Sequence, residues 1–166
     1  MKSALQEEDC GNGIRLRPLA RGDLALTRAW RNRDDVRCWF KSPAAITAEQ
    51  HHGWFESYLL KPGDYVFIVE RDGRPVGQVA IYAIDRESGE AEIGRFVVAP
   101  REGGKGQMRA AILGLVALAR REWSLRRLYL EVFAHNERAI RLYRSLGLTV
   151  DRNEDGMLHM SMAIDR

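Results

Sequence analysis

The sequence predicts one α/β domain whose sheet is mixed, mainly antiparallel and flanked by helices. Three observations predict it. Asp72-Gly73 is the strongest short hairpin signal a chain can carry, and it stands between two runs of alternating hydrophobicity. A third alternating run follows, and beyond it the order strand, helix, strand between Ala91 and Phe133 calls for a right-handed parallel crossover. The remaining segments have the apolar spacing and the caps of helices.

Residues 1–13 are polar and acidic, end in Gly11-Asn12-Gly13, and are expected to form a flexible leader; residues 14–166 are expected to form the single domain. Ile14 to Arg17 alternates like a strand and stops at Pro18, after which Asp23 can cap a helix carrying Leu24, Leu26, Ala29 and Trp30. A short helical piece covers Asp34 to Phe40. Thr47 and Gln50 form a capping box in front of a helix carrying Trp54, Phe55, Tyr58 and Leu59. Tyr65 to Glu70, Pro75 to Ile84 and Ala91 to Val98 then form an antiparallel meander. On the third of these strands Glu92, Gly94 and Phe96 share one face, opposite Ile93 and Val97. A helix carrying Ile112, Leu115, Ala119 and Trp123 leads to a strand from Leu128 to Phe133. Asn136 caps a helix with Ala139, Ile140, Tyr143 and Leu146 that Gly147 stops. Strands around Leu148 to Asp151 and Leu158 to Ile164 close the chain.

The 166 residues suffice for one real core, and a chain that is 45% hydrophobic and 30% charged is neither a disordered tail nor a membrane bundle. The longest apolar run, Ala110 to Ala119, is too short to span a bilayer, and the first residues lack a secretory signal, so a cytoplasmic protein with no membrane partner is expected. Cys10 and Cys38 form neither a disulfide framework nor a metal-ligand spacing, so no metal is expected, and Cys38 is expected to pack. A net charge of +3 suits an anionic small ligand but lacks the excess of a nucleic-acid binder.

The most informative stretch runs from Val97 to Met108, where a strand end, three glycines and a helix start coincide. Main-chain N–H groups at a helix start bind anions, and glycines let a phosphate approach the backbone. A Walker A loop needs a hydroxyl after its lysine, but Gly106 follows Lys105. A dinucleotide fingerprint starting at Gly104 would need a glycine where Arg109 stands. The stretch resembles instead the acyl-CoA-binding loop of the GNAT acetyltransferase superfamily. With Gly104-Lys105-Gly106 at the motif's centre, Gly103 takes the usual arginine position and Met108 replaces the last small residue; a second register uses Arg101, Gly104 and Gly106. About thirty residues on, the stretch Leu130 to Gly147, with Asn136, Ala139, Leu142-Tyr143 and Leu146-Gly147, resembles the family's strand–Asn–helix–Gly segment. The resemblance covers roughly residues 14–164.

The resemblance implies an acetyl-CoA-dependent N-acetyltransferase in which a neutral amine attacks the thioester directly. It implies a sheet that splays near residues 97–99 and 130–134. Val97 and Val98 would offer main-chain groups to the pantetheine arm, and the amides of Gly103, Gly104, Lys105 and Gly106 would hold the pyrophosphate. Lys105 and Arg109 would add charge there, and Asn136 would both cap its helix and bond the arm. Tyr143 takes the position of the general acid. Glu92 is the candidate base, with His51 and His52 as rivals, of which at most one can face a cleft. The pattern Trp30-Arg31 to Arg37, Ile46-Thr47, then His51 and Trp54-Phe55 resembles the subgroup that acetylates 4-amino sugars on nucleotide carriers, of the pseudaminic-acid-pathway type. In that reading Trp30, Trp54 and Phe55 stack on a base or sugar, and Arg31 or Arg37 pairs with diphosphate. A homodimer is compatible with it. Two alternatives stay open: acetylation of a protein N-terminus or lysine, and a non-catalytic acyl-CoA-binding module.

Overall fold

A computed structural model describes residue 2 and residues 4–165. Met1, Ser3 and Arg166, at the ends of the expected leader and domain, lie outside the described residues. The strands are β1 (Glu8–Gly11), β2 (Ile14–Pro18), β3 (Tyr65–Arg71), β4 (Arg74–Asp85), β5 (Glu90–Val98), β6 (Arg127–Phe133), β7 (Thr149–Glu154) and β8 (Met157–Ala163). The helices are α1 (Leu24–Arg31), α2 (Asp34–Arg37), α3 (Ala48–Leu60), α4 (Gln107–Trp123) and α5 (Glu137–Ser145). All eight strands belong to one sheet in the order β1-β2-β3-β4-β5-β6-β8-β7, and only the β5/β6 pair is parallel.

The expected leader contributes a strand. Glu8–Gly11 pairs with β2, and Arg121 of α4 anchors it through Glu8 at 2.6 Å. Its sequence hid this because four residues at a sheet edge carry almost no periodic signal. The Asp72-Gly73 turn forms as its residues predict, with both φ values positive (52° and 81°), the geometry that matches the twist of the flanking strands. Thr47 closes its capping box: its hydroxyl accepts from Gln50 N at 3.1 Å while Thr47 N donates to Gln50 Oε1 at 2.8 Å. Asp23 does not cap α1 with its side chain. Its carboxylate instead takes two 2.9 Å bonds from Arg17 and one from Ala20 N.

Helices cover both faces of the sheet, so β3 is buried continuously from Tyr65 to Val69. Tyr65, Phe67 and Val69 pack with α4 and α5 residues such as Ile112, Leu115 and Ile140. Val66 and Ile68 face the other way, onto Leu24 and Trp30 of α1 and Phe55 and Tyr58 of α3.

Two irregularities in the middle of the sheet create the site. β5 and β6 pair only from Glu90–Glu92 to Arg127–Tyr129 and diverge beyond, so the splay opens on β6 at residue 130, as expected, but earlier along β5 than residues 97–99. Across the other edge of β5, Gln78 pairs with Val97 but Ala80 pairs with Gly94, which leaves Arg95 and Phe96 opposite one residue of β4. This is a β-bulge, centred on Arg95 at φ +53°. It reverses the expected alternation: Phe96 joins the α4/α5 core, and Val97 turns to the α1/α3 side occupied by Tyr82.

Candidate active site

The splay opens into a cleft of about 820 Å³. Its walls are β5 from Glu92 onward, the loop from Arg101 to Gly106 with the start of α4, β6 with the start of α5, and the segment from Arg31 to Ser42.

At one end lies the glycine loop. Arg101, Gly104 and Gly106 all take left-handed φ angles (67°, 76° and 77°), and α4 begins directly after Gly106. The first N–H groups of α4 have no partner within the helix, so the loop aims unpaired donors and the positive helix end at the cleft. Added Cβ atoms at Gly104 and Gly106 would meet nothing within 4 Å, so the main chain is open to a close approach. Arg101, Arg109 and Arg138 line this end. Glu102 is buried there; its bonds from Arg74 and Lys105 hold its carboxyl below the usual carboxylate range. Gln107, a lining residue that is 3% exposed, donates through its side-chain amide to the Glu102 carbonyl, while its own Oε1 is buried without a protein partner. A polyanion fits the loop amides and the arginines.

The loop residues Gly103, Gly104 and Gly106 line the cleft with Val97, Val98, Arg109 and Asn136. Lys105 does not; its ammonium folds back to Glu102 at 3.4 Å. Asn136 caps α5, with Ala139 N donating to its Oδ1 at 3.4 Å. Arg138 was missed because a helical arginine at that spacing has the look of a solvated residue until the loop is folded against it.

At the middle, Tyr143 lines the cleft from α5, its ring 5.8 Å from that of Phe96. Burial alone raises the pKa of its phenol. Glu92 lines the cleft from β5 and accepts a 3.1 Å bond from the Tyr82 hydroxyl. Burial is the largest influence on Glu92, and its carboxyl stands above the usual value despite that bond. Neither Tyr82 nor Glu131, a second carboxylate of the cleft on β6, was foreseen, because strand register decides both.

At the other end, the segment after α2 bridges the splay. Lys41 pairs with Glu131, and the Trp39 ring lies 5.2 Å from that of His135. Arg31 lines the cleft, stacks its guanidinium 4.0 Å from the Phe40 ring centre and donates to Ser42 O at 2.6 Å, but its Nη1 is buried without a partner. The other expected acceptor residues lie elsewhere. Trp30 is 4% exposed in the α1/α3 core. Trp54 is stacked between His51 and Tyr58 at 5.3 and 5.2 Å. The His51 Nε2 lies 3.0 Å from Thr27 Oγ1, and Arg37 binds Asp34 at the surface. None of the four lines the cleft: α1 and α3 use their aromatic faces to cover the sheet. His52 is exposed and bonds Ala48 O, and Cys38 is exposed rather than packed.

A sheet split beside a central bulge, with a glycine loop feeding a helix at one end and ionisable groups at its middle, defines a CoA-dependent acyltransferase. The chain belongs to the Acetyltransferase (GNAT) family, whose model matches residues 25–148. It is 33% identical over 146 residues to the spermidine N(1)-acetyltransferase of Escherichia coli K12, covering 84% of this chain and 75% of that one. In fold it is similar to a spermidine N-acetyltransferase from Vibrio cholerae in complex with CoA and spermine, with a TM-score of 0.84 at 22% identity over 92% of this chain and 96% of that one. It is also similar to RimL, a ribosomal L7/L12 α-N-protein acetyltransferase in complex with CoA, at a TM-score of 0.81 and 14% identity over 96% and 99% of the two chains. The protein is thus an acetyl-CoA-dependent N-acetyltransferase. Among the described residues no helix is long and apolar enough to cross a membrane, and no group of three or more His, Cys, Asp or Glu is placed to hold a metal.

Proposed function

We propose that the acceptor is a primary amine carried on an anionic molecule, the 4-amino group of a nucleotide-linked sugar. The observation that carries this reading is Arg31. Three other cations of the cleft have carboxylate partners: Arg33 with Asp35, Lys41 with Glu131, and Arg95 with Asp64. Arg31 has none among the described residues; burial and the nearby Arg37 both press its pKa down, so an acceptor phosphate would relieve an uncompensated charge.

Acetyl-CoA supplies an acyl group activated as a thioester. The glycine-loop amides, with Arg101, Arg109 and Arg138, hold its phosphates. The main chain of Val97 and Val98, on the β5 edge that has no β6 partner, orients the pantetheine arm together with Asn136. Glu92 removes the proton from the acceptor ammonium, directly or through water, and its raised pKa brings it closer to neutral pH, where a base is effective. Tyr143 returns a proton to the departing thiolate, and its buried, neutral phenol suits that task.

Steady-state turnover of acetyl-CoA with a panel of 4-amino sugar nucleotides, spermidine and a peptide amine tests the reading. Arg31→Ala should raise KM for the sugar nucleotide by about 10- to 100-fold, the worth of a charge-assisted hydrogen bond at about 1.5–3 kcal/mol. A polyamine acceptor is the second reading, favoured by the 33% identity to a spermidine enzyme and by the carboxylates of Glu92 and Glu131. It is distinguished by efficient spermidine turnover that Arg31→Ala leaves unimpaired. If spermidine is acetylated and no sugar nucleotide is, the first reading is wrong.

A further inference from the structure

We propose that Tyr82, Arg95 and the buried Asp64 form a positioning relay that sets the direction and ionisation of the Glu92 carboxylate. The inference rests on the reading of Glu92 as the base.

Tyr82 of β4 is the direct ladder partner of Glu92 on β5, so the two side chains rise on the same side of the sheet. The phenol lies over the residue between Glu92 and the bulge. A Cβ at Gly94 would come within 2.3 Å of the Tyr82 oxygen, so only glycine leaves room for the bond to Glu92. In an unbroken strand residue 95 would point to the opposite face. The bulge, which holds a non-glycine residue at φ +53°, turns Arg95 to the Tyr82 side instead. Such a backbone is unfavourable for a residue with a side chain, and it persists where surrounding contacts over-determine it. Those contacts are visible. The Arg95 guanidinium lies 4.3 Å from the Tyr82 ring centre and forms a fork with Asp64, at 2.7 and 3.2 Å. Asp64 is 2% exposed, and Lys61 approaches it at 3.9 Å. The bulged carbonyl of Arg95 is itself satisfied by Gln78 Nε2 at 3.0 Å. The sequence of contacts therefore runs from a buried carboxylate through a clamped cation and an aromatic face to the phenol that donates to Glu92.

Other groups face the same carboxylate. Lys41 from the segment after α2 and Arg95 favour its charge, and Glu131 of β6 opposes it. Tyr129, its parallel ladder partner on β6, is within electrostatic reach. Burial opposes the charge most strongly; among the groups that favour it the bond from Tyr82 acts first, followed by Lys41 and then by Arg95 behind the phenol. Removing the Tyr82 bond or Arg95 raises the carboxyl further. The sign for activity follows: kcat/KM should fall at low pH and rejoin the wild type above the acid limb, whereas a merely structural defect lowers it at every pH.

The test uses the full chain, with Tyr82→Phe, Arg95→Met and Glu92→Gln. Two quantities are read: the acid limb of kcat/KM with acetyl-CoA and the acceptor that the panel identifies, and the titration of the Glu92 carboxyl carbon by NMR without acceptor. Tyr82→Phe should move both to higher pH by about 1–2 units, the worth of one hydrogen bond to a charged group. Arg95→Met should move them the same way and serves if Tyr82→Phe does not fold. A carboxyl titration that stays in place in a folded variant overturns the relay. Wild-type turnover by Glu92→Gln overturns the base reading instead, so the two failures are distinct.

Discussion

Tyr143 shows how much a single side chain draws from its surroundings. Its phenol lines the cleft while the residue is 8% exposed among core residues, and burial alone raises its pKa, so it stays in the neutral form that carries a proton to give. Tyr143→Phe keeps that packing and removes the proton, so kcat should fall about 100-fold, within the usual range for a general acid. The KM for acetyl-CoA should change little, and the two proteins should melt together, as kinetics and calorimetry would show. The position of Tyr143 was legible because the Asn136-to-Gly147 stretch is local in sequence. Tyr82 was not, because its partnership with Glu92 depends on which residues of β4 and β5 lie opposite each other.

The decisive elements are the loop between β5 and α4 and the bulge within β5. The loop announced itself through three glycines and a helix start, since positive φ angles and main-chain donors have a compositional signature. Gly104→Val should raise KM for acetyl-CoA at least 10-fold and leave acceptor KM unchanged, because a β-branched residue at φ +76° strains the loop and fills the approach to its amides. Product-formation kinetics with each substrate varied in turn would decide it. The bulge has no such signature: Gly94-Arg95-Phe96 fits a regular strand as well as a bulged one, and strict alternation put Phe96 beside Glu92. The same limit applied to α1 and α3. Their apolar spacing was plain, but an aromatic residue on a helix meets a ligand or a sheet according to how the helix is rotated, and here Trp30 and Trp54 meet protein.

On the scale of the molecule, two helical layers bury the sheet on both sides and leave it accessible where two strands part. Ion pairs tie the chain's ends and turns to this frame, and Arg17–Asp23 is the best buried of those outside the cleft region with two-point geometry. Burial pulls the Asp23 carboxyl upward, but the bonds from Arg17 and Ala20 N outweigh it, leaving its pKa below the ordinary 3.8. A carboxyl lowered in the folded state contributes stability that is complete above the ordinary value and is lost as pH falls through the lowered one. Asp23→Asn should therefore cost on the order of 2 kcal/mol at neutral pH and progressively less as pH falls below the ordinary carboxylate value, measured by urea unfolding across that range. Periodicity, caps, turn residues and the glycine loop made the fold class and the place of the glycine loop legible in the sequence, because each acts within a few residues of itself. The acceptor half waited on tertiary structure. The pairing of Lys41 with Glu131 joins distant segments, the bond from Tyr82 to Glu92 depends on strand register, and the want of a carboxylate beside Arg31 depends on what packs around it, so only a bulged, splayed sheet with its helices in place brings these groups into one cleft.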